Sequence, residues 1–161
     1  LIGPGEQSGE EAIHCESHSN ITIKNLNIDY YFGSYFKDVT NSEITGCTIS
    51  YDYGSAIWLW SSSRNRITGN KIGSGSGGHG ILLWESSNRN IVENNEIRTV
   101  RGGGIYVEEK SNDNQFYGNF VCGNARGDIV VDSSCVGNIG SNNTFNIATN
   151  FEDENRRACP E

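Results

Sequence analysis

Glu108 and Asp132 are two carboxylates 24 residues apart, and Trp58, Trp60, Trp84 and Tyr106 are large aromatics at related spacings. On neighbouring parallel strands two such carboxyl groups would lie about 5 Å apart, the separation used by retaining glycosidases. The charge of one would hold the other protonated, giving an acid and a nucleophile. Flat rings repeated every ~4.8 Å, the spacing between strands, can stack on sugar faces while acids accept hydroxyl protons. Each feature also has a plainer reading. The acids can be two solvated ends of a repeat, and the aromatics can be covered by a loop, by the tail or by another copy of the chain. What decides is whether the fold brings them onto one face.

The elements that would do so are visible as a repeat. Ala56-Ile57-Trp58-Leu59-Trp60 returns as Gly80-Ile81-Leu82-Leu83-Trp84 and as Gly104-Ile105-Tyr106-Val107-Glu108. The anchors Leu59, Leu83 and Val107 fall 24 residues apart; Ile67, Val92 and Phe116 follow, then Ile72, Ile97 and Val121. Three apolar anchors per period, each in a short β-type run, describe one turn of a coil. Alternation with period two sends Ile13 and Cys15, Ser34 and Phe36, Ile57 and Leu59, and their successors inward. One outward column then reads His14, Tyr35, Trp58, Leu82, Tyr106, Val130, and the other Glu16, Lys37, Trp60, Trp84, Glu108, Asp132. All three tryptophans face out.

Residues 65–72, 90–97 and 114–121 share an eight-residue pattern, with weaker copies at 42–49 and 21–28. Its Gly-Asn or Asn-Asn pair sits where the chain must turn between strands and a positive φ is tolerated. Stacked coils superpose Asn70, Asn95 and Asn119 into a ladder of amides, each donating and accepting along the stack. After Val131 the pattern decays, Phe145 being one last anchor, and residues 151–161 form a polar tail suited to capping the stack. The first end shows no such cap.

Composition limits the rest. Only 35% of the 161 residues are hydrophobic and 20 are glycine, so a large globular core is not expected. A net charge of −8 argues against nucleic acid or an anionic membrane as partner, and no apolar run is long enough to span a bilayer. The chain starts at Leu1 without a Met, as if cut from a longer precursor. Five cysteines occur without a CxxC pair, so zinc is not expected; Cys15 and Cys47 read as small buried hydrophobes. Cys135 and Cys159 are expected to form a disulfide, implying an oxidising compartment. Asn20 and Asn142 head glycosylation sequons of the kind an Asn- and Thr-rich chain produces by chance. No cofactor is expected; calcium through Asp52, Glu85 or Asp128 is not defined by any spacing. Glu16 beside Lys37 reads as a surface ion pair, Lys37 serving as a lyase base only with a lowered pKa.

The rung Gly-Ile-x-Leu-x-x-Ser-Ser-x-x-Asn-x-Ile-x-x-Asn-x-Ile resembles the right-handed parallel β-helix repeat of the pectate-lyase-like superfamily, in particular its carbohydrate-binding and sugar-hydrolase group. The resemblance covers roughly residues 13–131. It implies a right-handed solenoid, an extracellular or envelope location, and either a glycan-processing enzyme or a non-catalytic surface repeat. Gly78-His79-Gly80 is similar to a short polygalacturonase motif. The paired aspartates and the Arg-x-Lys that accompany it there are missing, so a turn histidine between glycines is expected.

The sequence thus predicts an all-β, single-stranded parallel β-helix of about six coils of 21–25 residues. Residues 1–132 form the coils, with 1–12 an irregular start, and 133–161 a last partial coil and cap. A polysaccharide is the expected partner, held by Tyr35, Trp58, Trp60, Trp84 and Tyr106 with Glu108 and Asp132 orienting hydroxyls. The alternatives are a glycan hydrolase or lyase using Glu108 and Asp132, and a structural repeat that self-associates through the aromatic stripe or the open first end.

Overall fold

The computed structural model describes residues 1–3, 9–50, 53–73 and 77–161. The described residues contain no helix, and every strand pairing is parallel. The first sheet stacks Ile13–Glu16, Ser34–Lys37, Ile57–Trp60, Ile81–Trp84, Ile105–Val107, Ile129–Val131 and Ala148–Thr149. The second runs from Thr22–Lys24 through Glu43–Thr45, Arg66–Thr68, Ile91–Glu93 and Gln115–Tyr117 to Ile139–Ser141 and Asp153–Glu154. The third stacks Asn27–Asp29, Thr48–Ser50, Lys71–Gly73, Glu96–Arg98 and Phe120–Cys122. The first five coils each contribute one strand to each sheet, which is the arrangement the three anchor series predict; the last two extend the first and second sheets and meet the third only through isolated bridges at Thr144 and Arg157.

Register follows the anchors. Leu59 pairs with Leu83 and Leu83 with Val107; Ile67 pairs with Val92 and Val92 with Phe116. These residues fill the interior with Ile57, Ile72, Ile81, Ile97, Ile105 and Val121, all at or near zero exposure. Fully burying each such side chain contributes about 1.5–3 kcal/mol. Between second and third strands the chain turns at Asn25, Gly46, Gly69, Asn94 and Gly118, all with φ between 53° and 62°. The residue that follows each of the last three turns inward as the ladder asparagine.

That ladder forms. Asn70 donates from Nδ2 to Asn95 Oδ1 at 3.0 Å, and Asn95 to Asn119 Oδ1 at 3.0 Å. Asn119 passes it on to Asn143 at 2.8 Å, and Asn143 ends it on the carboxylate of Asp153. A second column, of Asn65, Asn90, Asn114 and Asn138, lies at the start of the second sheet. A third, of Ser62, Ser87 and Ser111, joins the first sheet to it. All three series recur in the repeat, but stacking of the strand-to-strand turns predicts only the first as a buried ladder.

The winding continues past Val131. Phe145 is buried, Ala148–Thr149 extends the first sheet, and Asp153–Glu154 extends the second. Arg157 then bridges to Thr144, which bridges to Phe120, so the tail is laid over the last rung of the third sheet. This path corrects the expected disulfide. Cys159 bonds Cys122, at a Cα separation of 5.9 Å, and not Cys135. Cys135 stays beside Asp132 on the first-sheet side, half-buried against the core, out of the tail's path. At the first end Leu1 and Gly3 pair with Asp29, and the inward residues Ile13, Cys15, Ile23 and Leu26 are only partly covered.

Candidate functional site

The outward columns of the first sheet stand as the repeat requires. His14 is level with Tyr35, Tyr35 with Trp58, Trp58 with Leu82 and Leu82 with Tyr106. In the second column Glu16 is level with Lys37, Lys37 with Trp60 and Trp60 with Trp84. Strand Ile105–Val107 ends there, yet Glu108 N–H donates to the Leu83 carbonyl at 3.0 Å and Asp132 N–H to the Val107 carbonyl at 2.8 Å. These two bonds carry the column on through Glu108 and Asp132.

The rings form one cluster. Trp60 and Trp84 lie 4.4 Å apart between centroids, Trp58 and Trp84 5.4 Å, and Trp58 and Trp60 5.7 Å at an interplanar angle of 26°. Tyr35 meets Trp58 edge-on at 5.0 Å and Trp60 at 6.1 Å. Aromatic pairs at such distances hold each other in place, each worth about 0.5–1.5 kcal/mol beyond burial. The three indoles are half-buried, none of them fully covered. The chain's own tail does not cover them, since it lies against Phe116, Asn143 and Cys122 on the other two sheets. The indole N–H of Trp58 is buried without a hydrogen-bond partner among the described residues.

Tyr106 is braced from behind. Its ring lies 4.3 Å from that of His79, whose Nδ1 accepts a hydrogen bond from Gly103 N–H at 2.9 Å. Burial, and then the nearby Arg126 charge, push the His79 pKa down to about 4. His79 is therefore a neutral packing residue at physiological pH, as a turn histidine would be. Gly102 and Gly103 leave room for it: a Cβ on the first would sit 2.9 Å from the His79 ring and one on the second 2.9 Å from Tyr106.

The two acids are tuned in opposite directions. Burial, then the charges of Glu109 and Asp132, raise the pKa of Glu108. Asp132 is exposed and its pKa is lowered, chiefly by hydrogen bonding to Ser134, whose N–H donates at 2.8 Å. Opposed shifts on adjacent rungs make Glu108 the weaker and Asp132 the stronger acid of the two, the sense of difference that acid–base chemistry on a glycan uses.

Other candidates resolve differently. Lys37 Nζ sits 3.2 Å from Glu16, which raises its pKa, so it does not have the lowered pKa a lyase base requires. Asp128 is buried and both its oxygens are taken, one by Asn124 and the other by the backbone N–H groups of Asn146 and Ile147. Glu85 is exposed, and Asp52 lies outside the described residues. Among the described residues no three His, Cys, Asp or Glu side chains gather where a metal ion could be held. A concavity of 1020 Å³ near Tyr117, Ser141 and Phe151 and one of 550 Å³ near Arg64, Arg89 and Asp113 are lined by none of the aromatic-wall residues. A ligand of the wall would lie along it.

Residues 9–151 match the family model described as a right-handed beta helix region. The crystal structure of the alginate lyase from Paenibacillus sp. str. FPU-7 superposes with a TM-score of 0.72 at 20% identity, over 94% of this chain and 62% of that one. This chain thus spans less than two thirds of the lyase's length. The enzymatically active domain of tailspike protein 2 from bacteriophage CBA120 is similar over 82% of this chain and 25% of that one, at 16% identity and a TM-score of 0.48. No curated protein sequence matches the chain. At these identities the likeness is one of fold.

Proposed function

Because the chain belongs to the right-handed β-helix family, we propose that it is a polysaccharide-binding module of the cell exterior or envelope, holding its glycan along the first sheet. The observation that carries this reading is the aromatic cluster: all three tryptophans, with Tyr35 and Tyr106, on one outer face and uncovered by the tail. Four successive rungs at ~4.8 Å span the length of about three sugar rings. The glycan runs along the solenoid axis, its apolar faces on the rings, with Glu108 and Asp132 accepting hydroxyl protons. The alginate lyase acts, by its name, on a polysaccharide; this supports glycan as the ligand class without carrying its substrate across.

The test is a glycan array probed with the intact chain beside a Trp60→Ala, Trp84→Ala variant. Buried aromatic anchors at interfaces typically contribute about 2 kcal/mol or more each. Loss of both, about 4 kcal/mol if the two add, predicts affinity roughly 1,000-fold weaker. Absence of binding to any glycan, together with a dimer in light scattering, would assign the stripe to an interface between copies.

A second reading has its own support in the raised pKa of Glu108 next to the lowered one of Asp132. In it the module hydrolyses or otherwise cleaves the bound glycan, Glu108 supplying the proton. Glycan cleavage abolished in Glu108→Gln supports that reading, and cleavage unchanged in the variant removes the pair from any mechanism.

A further inference from the structure

We propose that the glycan held on this wall is an uncharged one and that polyuronates are turned away. This inference rests on the glycan reading of the wall and adds the charge class of its ligand. In the two outward columns the only ionisable groups besides His14 and the tyrosines are Glu16, Lys37, Glu108 and Asp132. The single cation is already engaged, its ammonium 3.2 Å from Glu16. The indoles of Trp60 and Trp84 are therefore followed, on the next two rungs of their own column, by two carboxylates without a counter-ion in either column. Glu85 and Glu109, exposed beside Trp84 and Glu108, add charge of the same sign. Lys110 follows Glu109 on the turn, and Arg126 stands at the opposite border behind His79. Neither lies in the columns.

A polyuronate laid along this wall places one carboxylate per sugar, every ~5 Å, opposite that acidic run. At such distances like charges repel appreciably even in water, and more strongly beside the low-dielectric rings. A neutral glycan meets no such penalty. Its hydroxyls donate to the same carboxylates, while its apolar ring faces pack on the indoles. The raised pKa of Glu108 is in keeping with a locally negative field, burial being the larger cause.

The experiment is a titration of the intact chain at pH 7, followed by tryptophan emission, with soluble xylan, mannan and mixed-linkage β-glucan in one arm. Alginate and polygalacturonate form the other arm. The expected result is saturable binding of at least one neutral glycan, insensitive to salt, with polyuronates at least about tenfold weaker at low ionic strength. Screening the repulsion should bring the polyuronates closer as salt rises from about 10 to 200 mM. A Glu108→Gln, Asp132→Asn variant should shift the ratio of polyuronate to neutral affinity by about tenfold toward the polyuronate. Alginate or polygalacturonate binding as tightly as every neutral glycan overturns the proposal, and so does a ratio unmoved by the double substitution. Silence toward both arms overturns the glycan reading itself and this inference with it.

Discussion

Replacing Asn95 by Ala removes one rung of the amide ladder and strands its neighbours. Asn95 is 2% exposed; its Oδ1 accepts from the Asn70 backbone N–H at 2.9 Å and from Asn70 Nδ2 at 3.0 Å. Its Nδ2 donates to the Ile67 carbonyl at 2.9 Å and to Asn119 Oδ1 at 3.0 Å. Two of these four partners keep another bond, since Asn70 Nδ2 still reaches the Ile44 carbonyl and Asn119 Oδ1 still accepts from Asn95 N–H. The Asn70 N–H and the Ile67 carbonyl lose the side-chain partner that faces them. A buried polar group left unpaired costs about 1–3 kcal/mol, and the missing amide leaves a small void besides. The expected loss is roughly 3–6 kcal/mol, a large share of the ~5–15 kcal/mol that holds a typical domain folded. Equilibrium urea denaturation, followed by tryptophan emission and far-ultraviolet dichroism, measures it. Lys71→Ala, on an exposed strand position, is the control and should stay within about 0.5 kcal/mol of the parent. An Asn95→Ala chain within about 1 kcal/mol of the parent would refute the assignment of the ladder as a main source of stability.

Other perturbations test other joints. The His79 pKa is depressed to about 4 in the folded chain, so the unfolded chain takes up its proton first and stability falls as pH drops from about 6.5 toward 4. Discounted for its partial exposure, that loss is roughly 1–3 kcal/mol; a His79→Phe chain whose urea midpoint falls just as steeply between pH 7 and pH 4.5 would contradict it. Glu108 has the opposite sign: its raised folded pKa means that stability falls as pH rises through the window above the ordinary carboxylate value. Glu108→Gln should therefore raise the melting temperature at pH 7 and leave it nearly unchanged at pH 4; equal effects at both would refute the raised pKa. Reducing the Cys122–Cys159 bond, which closes a separation of 37 residues, should cost about 3–4 kcal/mol and free the tail for proteolysis. A Cys122→Ser chain should be indifferent to the reductant, and a parent chain equally indifferent would contradict the pairing.

What is legible in the sequence is whatever repeats along the stack. Leu59, Leu83 and Val107, or Asn70, Asn95 and Asn119, occupy the same place in successive coils, so one register fixes them all. The outward columns follow from the same register, which is why counting residues alone sets the tryptophans on one wall. The second amide column, through Asn65, Asn90, Asn114 and Asn138, and the serine column through Ser62, Ser87 and Ser111 repeat as regularly. Their burial is harder to foresee, because polar residues at a coil corner look like solvated turn residues until backbone N–H groups are seen to need them. What does not repeat is illegible. Asp153 takes the next ladder place, where the repeat would put an asparagine, and Cys159 reaches Cys122 because the tail bridges to Thr144. The contact of His79 with Tyr106 joins a turn to the strand of the next coil, and no local pattern announces it.

The glycan wall is tested most directly by the three indole N–H resonances of the chain in a ¹H–¹⁵N correlation spectrum, recorded as a neutral polysaccharide fragment of about four sugars is added. Binding along the first sheet predicts that the signals of Trp58, Trp60 and Trp84 move together, with the amides of residues 105–108, while those of the second and third sheets stay in place. Shifts gathered instead around Tyr117, Ser141 and Phe151, with the indole signals still, would contradict it.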